Sequence, residues 1–225
     1  MVGYGKTFKV GEVNAIIDGC TVSSADVNGA VYFALAANTD ISPEIYDSKK
    51  LIFVNGGTLI AYTGKGFGEG VGKGFGEGFS REVKENQAIY IGAGAPLGMK
   101  SETGAVYTEL TLRSNTKMNK IIKDGNVFSL KDLVPYQEGK IVNMDVASNE
   151  KMKFVVMSFD KGTGLSEHAA PGEALIFALD GEGIIGYEGK EYKIKAGENF
   201  KFAKQGRHYV KANEKFKMAL FLTLE

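Results

Sequence analysis

Residues 162–181 read GTGLSEHAAPGEALIFALDG, and residues 197–213 read GENFKFAKQGRHYVKAN. Each stretch opens at a glycine and contains a short apolar run with the length of a β-strand. The two stretches also hold both histidines of the chain, His168 and His208. Because histidine is the commonest metal-ligating side chain, this pair is the first candidate for a functional site.

Strand-length apolar runs separated by turn residues recur along the whole chain. They are rich in β-branched and aromatic residues, and long stretches with the 3.6-residue period of a helix are hard to find. The pattern predicts an all-β protein made of sandwiches or barrels. The predicted strands cover residues 31–36, 51–54, 88–91, 106–112, 154–159, 174–179 and 216–222.

Glycine-containing turns are predicted after several of these strands. They lie at residues 55–57, 180–183 and 188–190. One short helix is predicted at residues 129–134, where Ser129 would cap the first turn and Pro135 would end the helix.

An internal repeat divides the chain. Residues 5–13 resemble residues 125–133, and Ile41–Glu44 corresponds to Leu165–His168 at a constant offset of 124 residues. Since each copy has the size of a whole domain, we predict one domain over residues 1–118 and a second over residues 119–225. The boundary is expected near residues 115–124.

The first copy contains a glycine-rich insertion over residues 64–78, in which Gly-Lys-Gly-Phe-Gly-Glu-Gly occurs twice. It is interpreted as a flexible or hairpin loop between two strands. The glycine spacing does not fit a dinucleotide-binding fingerprint, and no Gly-Lys-Ser/Thr is present for a Walker loop.

Composition excludes several classes of function. The 225 residues carry 27 basic and 27 acidic side chains, which argues against a nucleic-acid binder that relies on phosphate contacts. The single cysteine, Cys20, excludes an intrachain disulfide. No signal peptide or apolar run of membrane-spanning length is present, so we expect a cytoplasmic protein without a membrane partner.

The two stretches quoted first resemble the two motifs of the cupin superfamily. Gly162 and His168 have the spacing of the family's first motif, and Gly197 and His208 have that of the second. With the internal repeat, the chain resembles a tandem bicupin. The resemblance implies two antiparallel jelly-roll β-barrels, each a double-stranded β-helix, and a divalent transition metal (zinc, nickel, iron or manganese) as the candidate cofactor.

The second half departs from the family's ligand pattern. Ala170 replaces the second histidine, and Ala174 occupies the usual glutamate position, while Ala203 and Gln205 replace a proline and a glycine of the second motif. The candidate metal ligands are therefore His168, His208 and Glu173. Glu173 is one residue short of the glutamate position, and a slip of one residue along a strand turns a side chain to the other face unless a bulge restores it.

Other residues are candidates for ligand contacts. The ligand-binding set comprises His168, His208, Arg207, Phe177 and Phe202, with the phenylalanines as an apolar wall and Arg207 as an attraction for anions. In the first half, Glu44 and Leu97 stand at the two histidine positions, so that half is interpreted as structural.

Three functions remain open at this stage. The first is a binding protein for a small molecule, with a pocket in the C-terminal barrel and with or without a metal. The second is a metal-dependent enzyme of the dioxygenase, isomerase or decarboxylase type acting on a small polar metabolite. The third is a vestigial, storage-like bicupin. A homodimer is compatible with the neutral net charge.

Overall fold

The structure is a computed structural model that describes residues 2–26, 29–63 and 79–224. The predicted loop over residues 64–78 therefore lies outside the described residues. In chain order the elements are β1 (Thr7–Phe8), α1 (Val10–Val13), β2 (Thr21–Ala25), β3 (Ala30–Leu35), β4 (Thr39–Ile45), β5 (Lys49–Tyr62), β6 (Ser80–Lys84), β7 (Gln87–Ile91), β8 (Pro96–Ser101), β9 (Ala105–Leu112), β10 (Lys117–Met118), β11 (Val127–Ser129), β12 (Ile141–Asn149), β13 (Met152–Phe159), β14 (Gly164–Ala169), β15 (Ala174–Tyr187), β16 (Lys190–Lys195), β17 (Asn199–Phe202), β18 (Arg207–Lys211) and β19 (Phe216–Thr223). These elements confirm the all-β prediction. No described helix is long and apolar enough to cross a membrane.

The chain forms two compact units that exchange short segments. The first barrel contains the described residues of 10–115 and 120–128, and the second barrel contains those of 2–9, 116–119 and 129–224. In the second barrel β1 pairs with β17, and in the first barrel β11 pairs with β7. The predicted domains follow chain order. In the structure, β1 precedes the first barrel but is an edge strand of the second, and β11 precedes most of the second barrel but is an edge strand of the first.

One long strand bends each sheet into a barrel. The first half of β15 pairs with β17 and β19, and its second half pairs with β16 and β18. The change of partners follows a register shift between Ala178 and Asp180. In the first barrel β5 behaves in the same way, with a shift between Val54 and Gly56. A bulge of this kind increases the local bend and lets one strand serve two sheets.

The turns predicted at residues 55–57 and 180–183 are therefore wrong, because both segments are bulged interiors of continuous strands. Gly57 and Gly181 have φ values of 75° and 70°. A Cβ atom at Gly57 would lie 2.2 Å from the Gly104 carbonyl oxygen, and one at Gly181 would lie 1.9 Å from the Lys215 carbonyl oxygen. The repeated glycine thus allows the same close strand approach in both barrels.

The predicted turn at residues 188–190 is confirmed, since it joins β15 to β16 with positive φ at Glu188 and Gly189. The predicted helix at residues 129–134 is shorter than expected: a single 3-10 turn spans Leu130–Asp132. Ser129 makes no side-chain capping hydrogen bond there, so the capping prediction is wrong.

Each barrel has its own apolar interior. In the second barrel the interior side chains alternate along the strands, as in Ala174, Ile176 and Ala178 of β15. Directly opposed residues of neighbouring strands share a face, so Phe200 and Phe202 of β17 lie in the same interior. The two ends of such an interior are where polar side chains can gather into a site.

Candidate functional site

Strands β14 and β18 of the second barrel bring the two histidines together. His168 and His208 are directly opposed in this antiparallel pair, and their ring centroids are 4.2 Å apart. The register shifts between Leu165 and His168, which places one extra residue on β14 just before the histidine. The bulge sets the direction of His168, because without it every later side chain of β14 would turn to the opposite face.

The two imidazoles have different surroundings. His208 is 7% exposed, and its ring stacks on Phe202 with centroids 4.0 Å apart. His168 is exposed. The pair therefore connects the aromatic interior to the solvent, with His208 as the inner member.

Tyr187 completes the aromatic side of the site. It is directly opposed to His208 across β15 and β18, and its ring lies 5.4 Å from that of Phe202. The Ala203 backbone N–H donates to the Tyr187 hydroxyl oxygen at 3.3 Å. From the sequence alone, Tyr187 could line a pocket or simply pack with its hydroxyl outward, because its place depends on a strand pairing that sequence spacing does not reveal.

Backbone carbonyls fix the tautomer of both rings. His168 Nδ1 lies 2.8 Å from the Ser166 carbonyl oxygen, and His208 Nδ1 lies 3.0 Å from the Gly206 carbonyl oxygen. Because a carbonyl can only accept, Nδ1 must carry the proton in each neutral imidazole. Each Nε2 then keeps a lone pair, which can accept a hydrogen bond or bind a metal ion.

Burial keeps the inner imidazole neutral. Desolvation lowers the pKa of His208 below its ordinary value of 6.5, and the nearby His168 lowers it further, while the hydrogen bond to Gly206 acts in the opposite direction. An uncharged His208 at neutral pH leaves the Nε2 lone pair available.

Glu173 does not join the histidines. Glu173 directly precedes Ala174, whose side chain faces the barrel interior, so the side chain of Glu173 faces away from that interior. Its carboxylate accepts a hydrogen bond from the Tyr4 hydroxyl. Glu173 lies just before β15, which begins at Ala174.

The donor set does not fit the metal that the family resemblance implies. Catalytic zinc and non-haem iron normally keep three protein ligands. Among the residues that the structure describes, no group of three His, Cys, Asp or Glu side chains is arranged to hold a metal. Ala170 and Ala174, at two of the family's ligand positions, have no donor atom in their side chains.

Arg207 also faces away from the pair. It precedes His208 on β18 and therefore lies on the opposite face, where its guanidinium binds the Glu167 carboxylate at 2.8 and 3.1 Å. This ion pair raises the pKa of Arg207. The exposed pair joins β14 to β18 on the outer surface, one residue away from the histidines on each strand.

The two predicted phenylalanines lie on different faces of the sheet. Phe202 is in the barrel interior and contacts His208. Phe177 is opposed to Asn199 and Ala219, outside the interior cluster, and packs edge-on against Phe154. Phe177 therefore does not line the site.

A groove adjoins the strand pair that carries the histidines. Its volume is about 410 Å³, and neither histidine lines it. The lining residues are Gly162, Thr163, Gly164, Leu165, Ser166, Val210, Lys211, Ala212 and Asn213. Most of these side chains are small, so the groove offers mainly backbone groups to a ligand.

The first barrel repeats this geometry with other residues. Glu44 and Leu97 are directly opposed across β4 and β8, after a register shift between Ile41 and Glu44. The backbone of the histidine site is thus present in both barrels, and the imidazole pair is confined to the second.

Comparison with known proteins identifies the class. Residues 155–224 match a family model described as a cupin domain. A Cupin 2 conserved barrel domain protein from Leptotrichia buccalis is 24% identical, with a TM-score of 0.82 over 99% of this chain and 98% of that chain. Residues 155–224 are therefore similar to cupin domains, and the whole chain shares the fold of this cupin barrel protein.

More distant structures share this fold. Oxalate decarboxylase from Lactobacillus farciminis, solved as a formate complex, is 10% identical, with a TM-score of 0.52 over 100% of this chain and 88% of that chain. A variant oxalate decarboxylase from B. subtilis has the same identity and TM-score over 99% of this chain and 78% of that chain. Comparison with curated proteins gave no match. At these identities the likeness is one of fold, which does not by itself carry an activity.

Proposed function

We propose that the second barrel is a binding module for a small polar molecule, which it holds through Nε2 of His168 and Nε2 of His208. The observation that carries the proposal is the pairing of two imidazole rings whose centroids are 4.2 Å apart. The Nδ1 atoms of both rings are hydrogen-bonded to backbone carbonyl oxygens. A neighbouring Nε2 lone pair suits a ligand that offers a hydrogen-bond donor, such as a hydroxyl group.

The surroundings restrict the ligand further. Phe202 and Tyr187 form an aromatic wall behind His208, which excludes water and strengthens the polar contacts of a bound molecule. Since the interior beyond these rings is filled by apolar side chains, the ligand is a small metabolite bound at the mouth of the barrel. Hydroxy acids are the class we favour, because the hydroxyl donates to one Nε2 while the ionised carboxylate accepts from the other imidazole when that ring takes up a proton on binding.

A metal-dependent enzyme is the second candidate. This candidate is supported by the hydrogen bonds that hold both Nδ1 atoms against backbone carbonyls. Such bonds also orient metal-ligating histidines in proteins and raise the basicity of the ligating nitrogen. Two imidazoles alone would leave most coordination positions to water, so we expect added zinc to bind weakly and to be lost on dialysis. Metal analysis of protein purified without a histidine tag separates the two candidates, because metal retained at one ion per chain would contradict the binding module.

The binding module is tested by following the imidazole C–H resonances of both histidines during titration with glycolate. We expect both resonances to shift along one saturable curve. His208→Gln is expected to lower the affinity about tenfold, the effect of losing one hydrogen bond to the ligand.

Arg207→Gln is the matched control for this titration. It changes the neighbouring residue on the same strand, whose side chain lies on the outer face with Glu167. We expect its glycolate affinity to equal that of the wild type. Histidine resonances that stay unmoved by glycolate, or an affinity that His208→Gln leaves unchanged, would contradict the assignment of these groups.

A further inference from the structure

The first barrel contains a buried ion pair at one end of its interior. Lys50 Nζ lies 2.7 Å from Glu109 Oε1 and 2.9 Å from Thr111 Oγ1, and Lys50 and Glu109 are 7% and 6% exposed. Charged residues are seldom buried to this extent, because leaving water costs more than most ion pairs return.

Strand register places this pair on the interior face. Glu109 is directly opposed to Ile52, and Lys50 is opposed to Thr111. Ile52 and Tyr107, the latter two residues before Glu109 on β9, both belong to the interior cluster of the first barrel. Tyr107, Glu109 and Thr111 therefore form one polar row along β9 that faces into the barrel.

The inner end of this row has an unsatisfied hydroxyl. Tyr107 is fully buried, and its ring stacks on Phe33 with centroids 5.0 Å apart. Within the described part of the chain its hydroxyl has no hydrogen-bond partner. Burial raises the pKa of Tyr107, and the negative charge of Glu109 raises it further, so the hydroxyl keeps its proton and needs an acceptor.

The second barrel shows that the fold does not require these polar groups. Ala174 is opposed to Leu222, and Ile176 is opposed to Leu220, just as Lys50 is opposed to Thr111 and Ile52 to Glu109. Continuing this register, Met218 of the second barrel occupies the position that corresponds to Tyr107 of the first barrel. The second barrel thus has alanine, two leucines and methionine at these positions, and all four pack in or against its apolar interior cluster.

Tyr46 and Glu44 extend the polar cluster around Lys50. The Lys50 ammonium lies 4.6 Å from the centre of the Tyr46 ring, and the Tyr46 hydroxyl interacts with the Glu44 carboxylate. Lys50 neutralises Glu109, and the exposed Glu44 adds one negative charge. This balance disfavours an anionic ligand.

We propose that the first barrel is a second, independent binding site for a small uncharged polyol or sugar, held by the Tyr107 hydroxyl, the Lys50–Glu109 pair and Thr111. A ligand hydroxyl accepts a hydrogen bond from the Tyr107 hydroxyl and donates one to a carboxylate oxygen of Glu109. Tyr46 and Phe33 supply aromatic surface for the carbon skeleton of the ligand.

Methionine methyl resonances test the proposal, because each barrel interior carries its own reporters. Met99 lies in the interior of the first barrel, and Met157 and Met218 lie in that of the second. Titration of the full chain with glycerol, glucose and myo-inositol is expected to shift Met99 saturably with at least one of them, while Met157 and Met218 stay in place. A Met99 resonance that no probe moves up to tens of millimolar would overturn the proposal and leave an ordered water as the partner of Tyr107.

Two variants make the result specific. Tyr107→Phe removes only the hydroxyl, so we expect it to fold as stably as the wild type and to weaken the probe's affinity at least tenfold. The combination Lys50→Ala, Tyr107→Met, Glu109→Leu and Thr111→Leu copies the second barrel and is expected to abolish the Met99 response. An unchanged response in Tyr107→Phe would overturn the assignment. Neither outcome bears on glycolate binding by His168 and His208.

Discussion

Replacing Gly181 with alanine is expected to cost about 3–5 kcal/mol of the free energy of unfolding. Two effects combine at this position. The φ value of 70° is unfavourable for any residue with a Cβ atom, and the new Cβ would lie 1.9 Å from the Lys215 carbonyl oxygen. Relief requires β15 and β19 to separate at the bulge where β15 changes partners. Urea denaturation of the full chain measures the loss.

Gly189→Ala is the matched control for this substitution. Gly189 has a similar φ of 76°, but a Cβ atom there would meet no atom within 4 Å. Only the backbone strain remains, so we expect a loss of about 1 kcal/mol. Equal losses for the two variants would show that the close approach of β15 to β19 is not a constraint on the fold.

Glu109→Leu is expected to destabilise the first barrel by about 3–5 kcal/mol, because it leaves the Lys50 ammonium buried without its carboxylate. Lys50→Ala is expected to be similarly costly, since it leaves the Glu109 carboxylate unpaired. Each single variant removes one charge and leaves the other charge buried without a partner, so the cost of removing that charge from water is no longer offset. The measurement is again the free energy of unfolding in urea.

The double variant Lys50→Ala with Glu109→Leu is the decisive member of this cycle. It copies Ala174 and Leu220 of the second barrel, and we expect its stability to return to within about 1 kcal/mol of the wild type. If the two single losses simply add in the double variant, the side chains contribute through packing rather than as a charge pair. That outcome would remove the energetic argument for a functional cluster in the first barrel.

The sequence allowed the fold class to be predicted, because short apolar runs between glycines are the local signature of antiparallel strands. The same glycines caused the errors. Gly57 and Gly181 look like turn residues, but they are needed where a continuous strand bulges against a neighbouring carbonyl. The exchange of β1 and β11 between the units could not be predicted, since it depends on pairings between segments far apart in the chain.

The candidate site was predictable only where a motif defined it. Motif spacing pointed to His168 and His208, which the strand pairing brings together. Arg207 and Phe177 were chosen for their chemistry and proximity in sequence, yet a shift of one residue along a strand reverses the face. Their side chains lie on the opposite faces of β18 and β15.

The buried ion pair of the first barrel shows a further limit of sequence patterns. Lys50 and Glu109 are 59 residues apart, and neither belongs to a motif. Their pairing follows from the register of β5 with β9, so a sequence pattern could not reveal it. The internal repeat did contain a usable signal, because polar residues in one copy align with apolar residues in the other.

Long-range proton–nitrogen spectra of the imidazoles test the central claim most directly. We expect both histidines to carry the proton on Nδ1 when neutral, and His208 to titrate below its ordinary pKa of 6.5. Because the folded state then takes up this proton later than the unfolded state, stability falls as the pH drops through the range below about 6.5. A proton on Nε2 of either ring, or a His208 pKa above 6.5, would contradict the paired Nε2 site.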